Sequence, residues 1–138
     1  MQLLVVGSTN CDFTRVFSPS SLTLFRYSAL TFNSHLIHYD HRYATEVEGY
    51  PKCLVHGPLT CTLLLDLLAK NTNGFSKLRL TKFTYRALSP LYVGDPIHLK
   101  GKWIKGDKNE TLCELWACNN QGALAMKGTA ELQPTSGF

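Results

Sequence analysis

Four of the chain's five histidines fall in one stretch, TFNSHLIHYDHRYATEVEGYPKCLVHGPL, which runs from Thr31 to Leu59. They are His35, His38, His41 and His56, and Asn33 and Asp40 lie among them. Imidazole exchanges protons near neutral pH, with an unperturbed pKa of about 6.5. Such a gathering suits general acid/base chemistry, a metal cage, or nothing beyond a polar loop. The metal reading is the weakest. HLIH places two imidazoles three residues apart, but a helical zinc signature is His-x-x-x-His with a glutamate, and no cysteine pair completes a ligand set. No metal and no cofactor is expected.

The elements that must hold these residues can be read around them. SPSSLTLFRYSALTF, residues 18–32, begins with Ser18 as a cap and Pro19 just inside, and Leu22, Phe25, Ala29 and Phe32 recur at helical spacing. NSHLIHYD breaks that period and reads as a loop. HRYATEVEG reads as a short helix closed by Gly49, with His41 at its start on a solvated face, and CLVHG as a short strand. GPLTCTLLLDLLAKNTNG carries the strongest helix signal, over about residues 58–72. Pro58 suits the first turn, and Leu59, Leu63, Leu64, Leu67 and Leu68 form a broad apolar face. Cys61 falls inside this pattern and is expected in the core.

The rest reads as strand. KLRLTKFTYRA alternates, PLYVGD is a turn, and PIHLKGKWIKG, TLCELWACN and ALAMKGTAELQ follow, separated by GDKNE and NNQG. His98 sits on a strand surface. The order is a helix-rich front, one long apolar helix, then four strands. This predicts an α+β fold of the hot-dog kind, a curled antiparallel sheet around a central apolar helix, as one domain over residues 1–138. Such a sheet leaves an edge strand open, and edges invite pairing, so a homodimer is expected.

Composition bounds the function. A chain of 138 residues buries roughly two-thirds of its unfolded surface, and 44% hydrophobic content is that of a globular domain. The formal charge of +4 is spread along the chain, so no nucleic-acid partner is expected, although a modest positive field favours an anionic substrate. Five cysteines, an odd number without a C-x-x-C pair, point to reduced thiols and an intracellular protein, cytoplasmic or mitochondrial. MQLLVV is too short and unflanked for a secretory signal, so the NET sequon at Asn109 carries no weight. No apolar run approaches the roughly 20 residues of a membrane span.

LFRYSALTFNSHLIHYDHRYA, EGYP and LVHGPL, at these separations, resemble the MaoC-like hot-dog hydratases and dehydratases. Within them the chain is most similar to the fungal type 2 3-hydroxyacyl-thioester dehydratases and to mesaconyl-CoA hydratases. The resemblance covers roughly residues 13–132 and is densest over 24–59; LSPLYVGDPI and NNQGALAMKGTAEL add to it. Many members carry a loop reading Asp-x-Asn-Pro-x-His. Its histidine falls on His38, its aspartate on Asn33, and its Asn-Pro pair on His35 and Leu36. The fungal branch shares Asn33, His35, His38 and Asp40, with a basic residue expected where Leu36 stands. Those fungal relatives also carry a second hot-dog-like segment that this chain lacks, which again implies that two copies pair.

The resemblance implies a hydro-lyase (EC 4.2.1) that interconverts 3-hydroxyacyl and 2-enoyl thioesters carried on CoA or acyl-carrier protein. That chemistry moves a proton at the α-carbon, places water at the β-carbon, and stabilises a thioester oxygen as it gains charge. His38 is then the acid/base group. Asn33 orients water or holds a substrate oxygen, since an amide is no base. His35 is a second catalytic candidate or a shaper of the loop. Gly57, His56 and Asp40 are assigned to the substrate-binding side. The backbone N–H of Gly57, at a helix start, is the natural oxyanion donor, while His56 beside it also suits a structural place, and Asp40 or the backbone fixes the His38 tautomer. Two other readings stand beside this one. A hot-dog thioesterase would need a carboxylate on the helix, for which Asp66 is the candidate, two turns from the helix start. A repurposed hot-dog protein, an isomerase, a cyclase or an acyl binder, would account for Asn33.

Overall fold

The computed structural model describes residues 5–106 and 110–136. The Asn109 sequon and the tip of GDKNE lie outside the described residues, as do the first four residues of MQLLVV. In chain order the elements are β1 (Phe13–Phe17), α1 (Ser21–Leu30), α2 (Gly57–Lys70), β2 (Leu78–Ala87), β3 (Ile97–Lys105), β4 (Thr111–Cys118) and β5 (Leu124–Pro134). Between α1 and α2 lie a 3₁₀ turn, Leu36–His38, and a π-helical turn, Tyr43–Val47.

The strands form one antiparallel sheet in the order β1-β3-β4-β5-β2. It is open, and α2 packs on the middle strands β3 and β4. This is the hot-dog arrangement expected from the sequence, with one strand more than expected. FTRVF, the missed strand, is too short and too irregularly patterned to stand out. It pairs with β3 from Phe13 opposite Gly101 to Phe17 opposite Ile97.

Helix α2 is buried because its leucines recur every three or four residues along a face that meets the sheet. Leu64, Leu67 and Leu68 meet Ile97, Leu99, Cys113, Leu115 and Leu132 in one core. Full burial of such a side chain contributes roughly 1.5–3 kcal/mol. Leu63 and Cys61 sit at the margin of that core, half-buried, rather than inside it.

Two local expectations are corrected. Helix α1 is capped by Ser20, whose Oγ accepts from the Thr23 N–H at 3.2 Å, and not by Ser18; Pro19 lies buried before the cap. CLVHG is no strand of the sheet. It forms one isolated bridge, Leu54 to Tyr92, flanked by bonds from the Val55 N–H to Leu91 O and from the Val93 N–H to Cys53 O. The apolar stripe of α1 does not face the core. Leu24 and Ser28 are its buried positions, and Leu22 and Phe25 are 52% and 57% exposed.

Candidate active site

The histidine loop is tied to the approach of α2 by a two-bond clasp. The Leu54 N–H donates to Ile37 O at 2.9 Å, and His38 Nδ1 lies 2.8 Å from Leu54 O. A carbonyl oxygen only accepts, so Nδ1 carries the proton and the lone pair is on Nε2. Among the described residues no protein group bonds to that Nε2. The backbone, and not Asp40, therefore fixes the tautomer. Asp40 instead accepts the Tyr43 N–H at 3.0 Å and starts the following turn.

Below His38 lies His56. Their rings stack 3.8 Å apart between centroids at 18°. His56 is 1% exposed and its Nε2 is 2.7 Å from Ser28 Oγ on α1. Tyr27 packs edge-on against it, with centroids 4.8 Å apart. One ring nitrogen, Nδ1, is buried with no partner among the described residues. An unpaired buried lone pair costs less than an unpaired N–H or a buried charge, which fits a neutral ring. Burial, and next the neighbouring His38, push the His56 pKa down to about 4. Burial also lowers His38; its bond to Leu54 works in the opposite direction, and nearby His35 adds to the lowering. Burial thus disfavours the charged form of both rings, and His38 Nε2 is left without a protein partner among the described residues.

His35 is exposed, with its ring 6.4 Å from that of His38. Its backbone N–H donates to Asn33 Oδ1 at 3.1 Å. This fixes the Asn33 amide and leaves its NH₂ free to donate. His41 is exposed, and His98 lies on the outer side of β3. No three potential metal ligands gather among the described residues. Asp66 is held by Arg15 at 3.0 Å and Lys70 at 2.8 Å, and those contacts lower its pKa. It is a paired carboxylate in the second half of α2.

At the start of α2, Thr60 donates to His56 O at 3.2 Å. Gly57 and Leu59 lie within the first turn, where amides lack a carbonyl one turn back, and Pro58 has no N–H. Gly57 is exposed, and a side chain added there would touch nothing within 4 Å. A cavity of about 240 Å³ opens beside it, lined by Val55, Gly57, Thr60, Leu88, Leu91 and Met126 among others. A second cavity, of about 340 Å³, lies against α1 and includes Ser28 and Asn33. Neither His38 nor His56 is itself among the residues that line either cavity. Ser28 lines one and bonds to His56, whose neighbours Val55 and Gly57 line the other.

Sequence reasoning missed Ser28 and the Leu54 carbonyl. Ser28 was open to discovery as a lone hydroxyl on the Leu24–Ser28 side of α1, once that side was known to be buried. Leu54 O had no signal, because backbone partners carry none.

The profile of the hydroxyacyl-thioester dehydratase type 2 family matches residues 5–93. The chain belongs to this family. A mesaconyl-C(4)-CoA hydratase of Chloroflexus aurantiacus is 40% identical over 119 residues, 86% of this chain and 39% of that protein. The mitochondrial hydroxyacyl-thioester dehydratase type 2 of Schizosaccharomyces pombe is 40% identical over 84 residues, 61% of this chain and 28% of that protein. The chain therefore spans less than two-fifths of the length of these curated relatives. Among solved structures, the unliganded R-hydratase PhaJ1 of Pseudomonas aeruginosa superposes with a TM-score of 0.80 at 20% identity, over 91% of this chain and 80% of that one. The (R)-hydratase of A. caviae gives 0.74 at 21% identity, over 96% and 98%. At such identities the likeness establishes the hot-dog fold. Among the described residues no helix is long and apolar enough to cross a membrane.

Proposed function

We propose that the protein is a hydro-lyase that interconverts 3-hydroxyacyl and 2-enoyl thioesters on CoA or acyl-carrier protein, with His38 as its acid/base group. The observation that carries this reading is the His38 ring, whose Nδ1 lies 2.8 Å from Leu54 O and whose Nε2 has no protein partner among the described residues. In hydration, Nε2 takes a proton from water as the water oxygen bonds to the β-carbon. The same proton then passes to the α-carbon, so that water is added across the double bond. The thioester oxygen gains negative charge between these events, and the Gly57 N–H at the α2 N-terminus stabilises it. Asn33, steadied by the His35 N–H, donates to the water or the thioester. His35 shapes that loop, Asp40 starts the next turn, and His56 acts through His38 from within the wall.

The unit we propose is a dimer. Strand β2 is an outer edge of the sheet, and pairing two copies there would make one continuous sheet and close the substrate tunnel. Five free thiols, of which Cys53, Cys113 and Cys118 are buried, support a reducing intracellular compartment. An amide at Asn33, where an aspartate is common in the wider family, favours one second reading, a hot-dog protein that binds or isomerises an acyl chain.

Loss of enoyl-thioester absorbance on mixing with 2-enoyl-CoA distinguishes the two. Asn33→Asp sharpens the result: a carboxylate facing the developing enolate should lower turnover, by roughly tenfold or more for one lost oxyanion-type donor. Equal or faster turnover would remove the donor role from Asn33.

A further inference from the structure

The outer face of the sheet carries a group of side chains that the histidine site leaves unused. On β2 and β5, Arg86 stands directly opposite Lys127, and Thr84 directly opposite Thr129. Residues two apart on a strand share a face, and so do direct cross-strand partners. The four side chains therefore form a square, two cations beside two hydroxyls. Tyr85, Phe83 and Gly128 fall on the other face, where Phe83 packs against the core that holds α2. The face of the square belongs instead with Trp116, which lies opposite Lys127 on β4 and sits in the separate apolar cluster of Cys118 and Leu124.

Like charges directly opposite one another on a sheet repel and cost stability. Little within the chain offsets that cost. Among the described residues Arg86 has no ion-pair partner, and Lys127 reaches only Glu114, at 3.9 Å. Thr81, on the same strand, spends its hydroxyl on Glu131 O at 3.0 Å, whereas those of Thr84 and Thr129 meet no protein group among the described residues. A cavity of about 490 Å³ opens over the square, lined by all four residues and by Leu88. Leu88 also lines the cavity beside Gly57. Pairing of two copies along β2 would use the strand's free backbone edge and leave these outward side chains in place.

We infer that Arg86, Lys127, Thr84 and Thr129 form a binding site for a phosphate ester. A guanidinium gives two parallel N–H bonds to phosphate oxygens, a lysine adds a compact charge, and two hydroxyls donate to the oxygens that remain. A dianion also removes the repulsion between the two cations. The source we assign is the phosphate-bearing end of a thioester carrier, because Leu88 borders both this cavity and the one at the start of α2. That choice of source, unlike the site itself, rests on the reading of the protein as a thioester hydro-lyase. A free nucleotide phosphate is the other source of the same chemistry.

The test titrates the full chain with CoA, with adenosine 3′,5′-bisphosphate and with pantetheine, followed by backbone amide NMR. No turnover enters, so a failure here leaves the hydro-lyase reading untouched. CoA and the bisphosphate should move the amides of residues 84–86 and 127–129, and pantetheine, which has no phosphate, should not. Arg86→Gln and Lys127→Gln should each weaken CoA by roughly tenfold, the usual loss for one charge-assisted bond, and added salt should weaken it in the parent. Arg86→Lys keeps the charge without the fork and should lose less than Arg86→Gln. All three variants change exposed side chains, and circular dichroism checks that they fold. CoA bound at least roughly tenfold more tightly than the bisphosphate supports the carrier as the source, since its arm adds contacts of its own. Equal affinity keeps the anion site and overturns that assignment of source. The site itself is overturned if neither phosphate probe binds at millimolar concentration, if the glutamine variants bind CoA as the parent does, or if pantetheine moves the same amides.

Discussion

Helices α1 and α2 both repeat apolar residues every three or four positions, yet the fold uses them in opposite ways. Leu59, Leu64, Leu67 and Leu68 of α2 are 7% exposed or less, closed over by the sheet. Leu22 and Phe25 of α1 look outward, and the buried side of that helix carries a serine. The stripe on α2 builds the core. The buried side of α1 instead delivers Ser28 to His56 at the start of α2, so α1 supports the site more than the fold. An apolar period alone does not say what a helix faces. Its partners decide that, and the chemistry sits where the two helices meet.

Core truncation should separate the helices most. Leu64→Ala removes a fully buried side chain and should cost about 2–5 kcal/mol of unfolding free energy, whereas Leu22→Ala should stay within about 0.5 kcal/mol. Urea titrations of the two variants would measure the gap, and equal losses would mean that α1 packs as α2 does.

The junction between the helices should make stability depend on acid. His56 titrates at about 4 in the folded chain and near 6.5 when unfolded. Between those values the unfolded state binds the extra proton, so stability rises with pH and falls as pH drops from about 6.5 toward 4. The loss should reach at most about 3 kcal/mol by pH 4, in proportion to the shift. Denaturation midpoints across that range would read it, and a flat profile would mean that His56 is not held neutral.

Ser28→Ala tests the same junction from α1. It leaves His56 Nε2 buried without a partner and should cost about 1–3 kcal/mol, most of it absent in Ser28→Thr, which keeps the hydroxyl. Chemical denaturation of the pair gives the difference.

These contrasts mark what the sequence makes legible. Helix α2 is plain because Pro58, the leucine period and Asn71 agree with one another, and the meander is plain because turn residues recur between alternating runs. The histidine loop is recognisable by its spacing. Less visible were features set by tertiary contact. The short β1 gains its strand character only from pairing with β3. Ser18, with Pro19 after it, reads as the cap on paper, and only the bond from the Thr23 N–H to Ser20 Oγ places the cap at Ser20. The direction of the α1 stripe follows from where Leu24 meets the core. At the site, His38 was legible as a side chain, while the Leu54 carbonyl that gives it its tautomer was not.

The most direct test of the central assignment is the hydration rate of a 2-enoyl-CoA by the parent chain and by His38→Ala, measured at one pH on samples of matched circular dichroism. The parent should consume the enoyl thioester, and the variant should be slower by roughly 10²–10⁴-fold, the usual contribution of a positioned general acid/base. A His38→Ala protein that works at the parental rate would contradict the account.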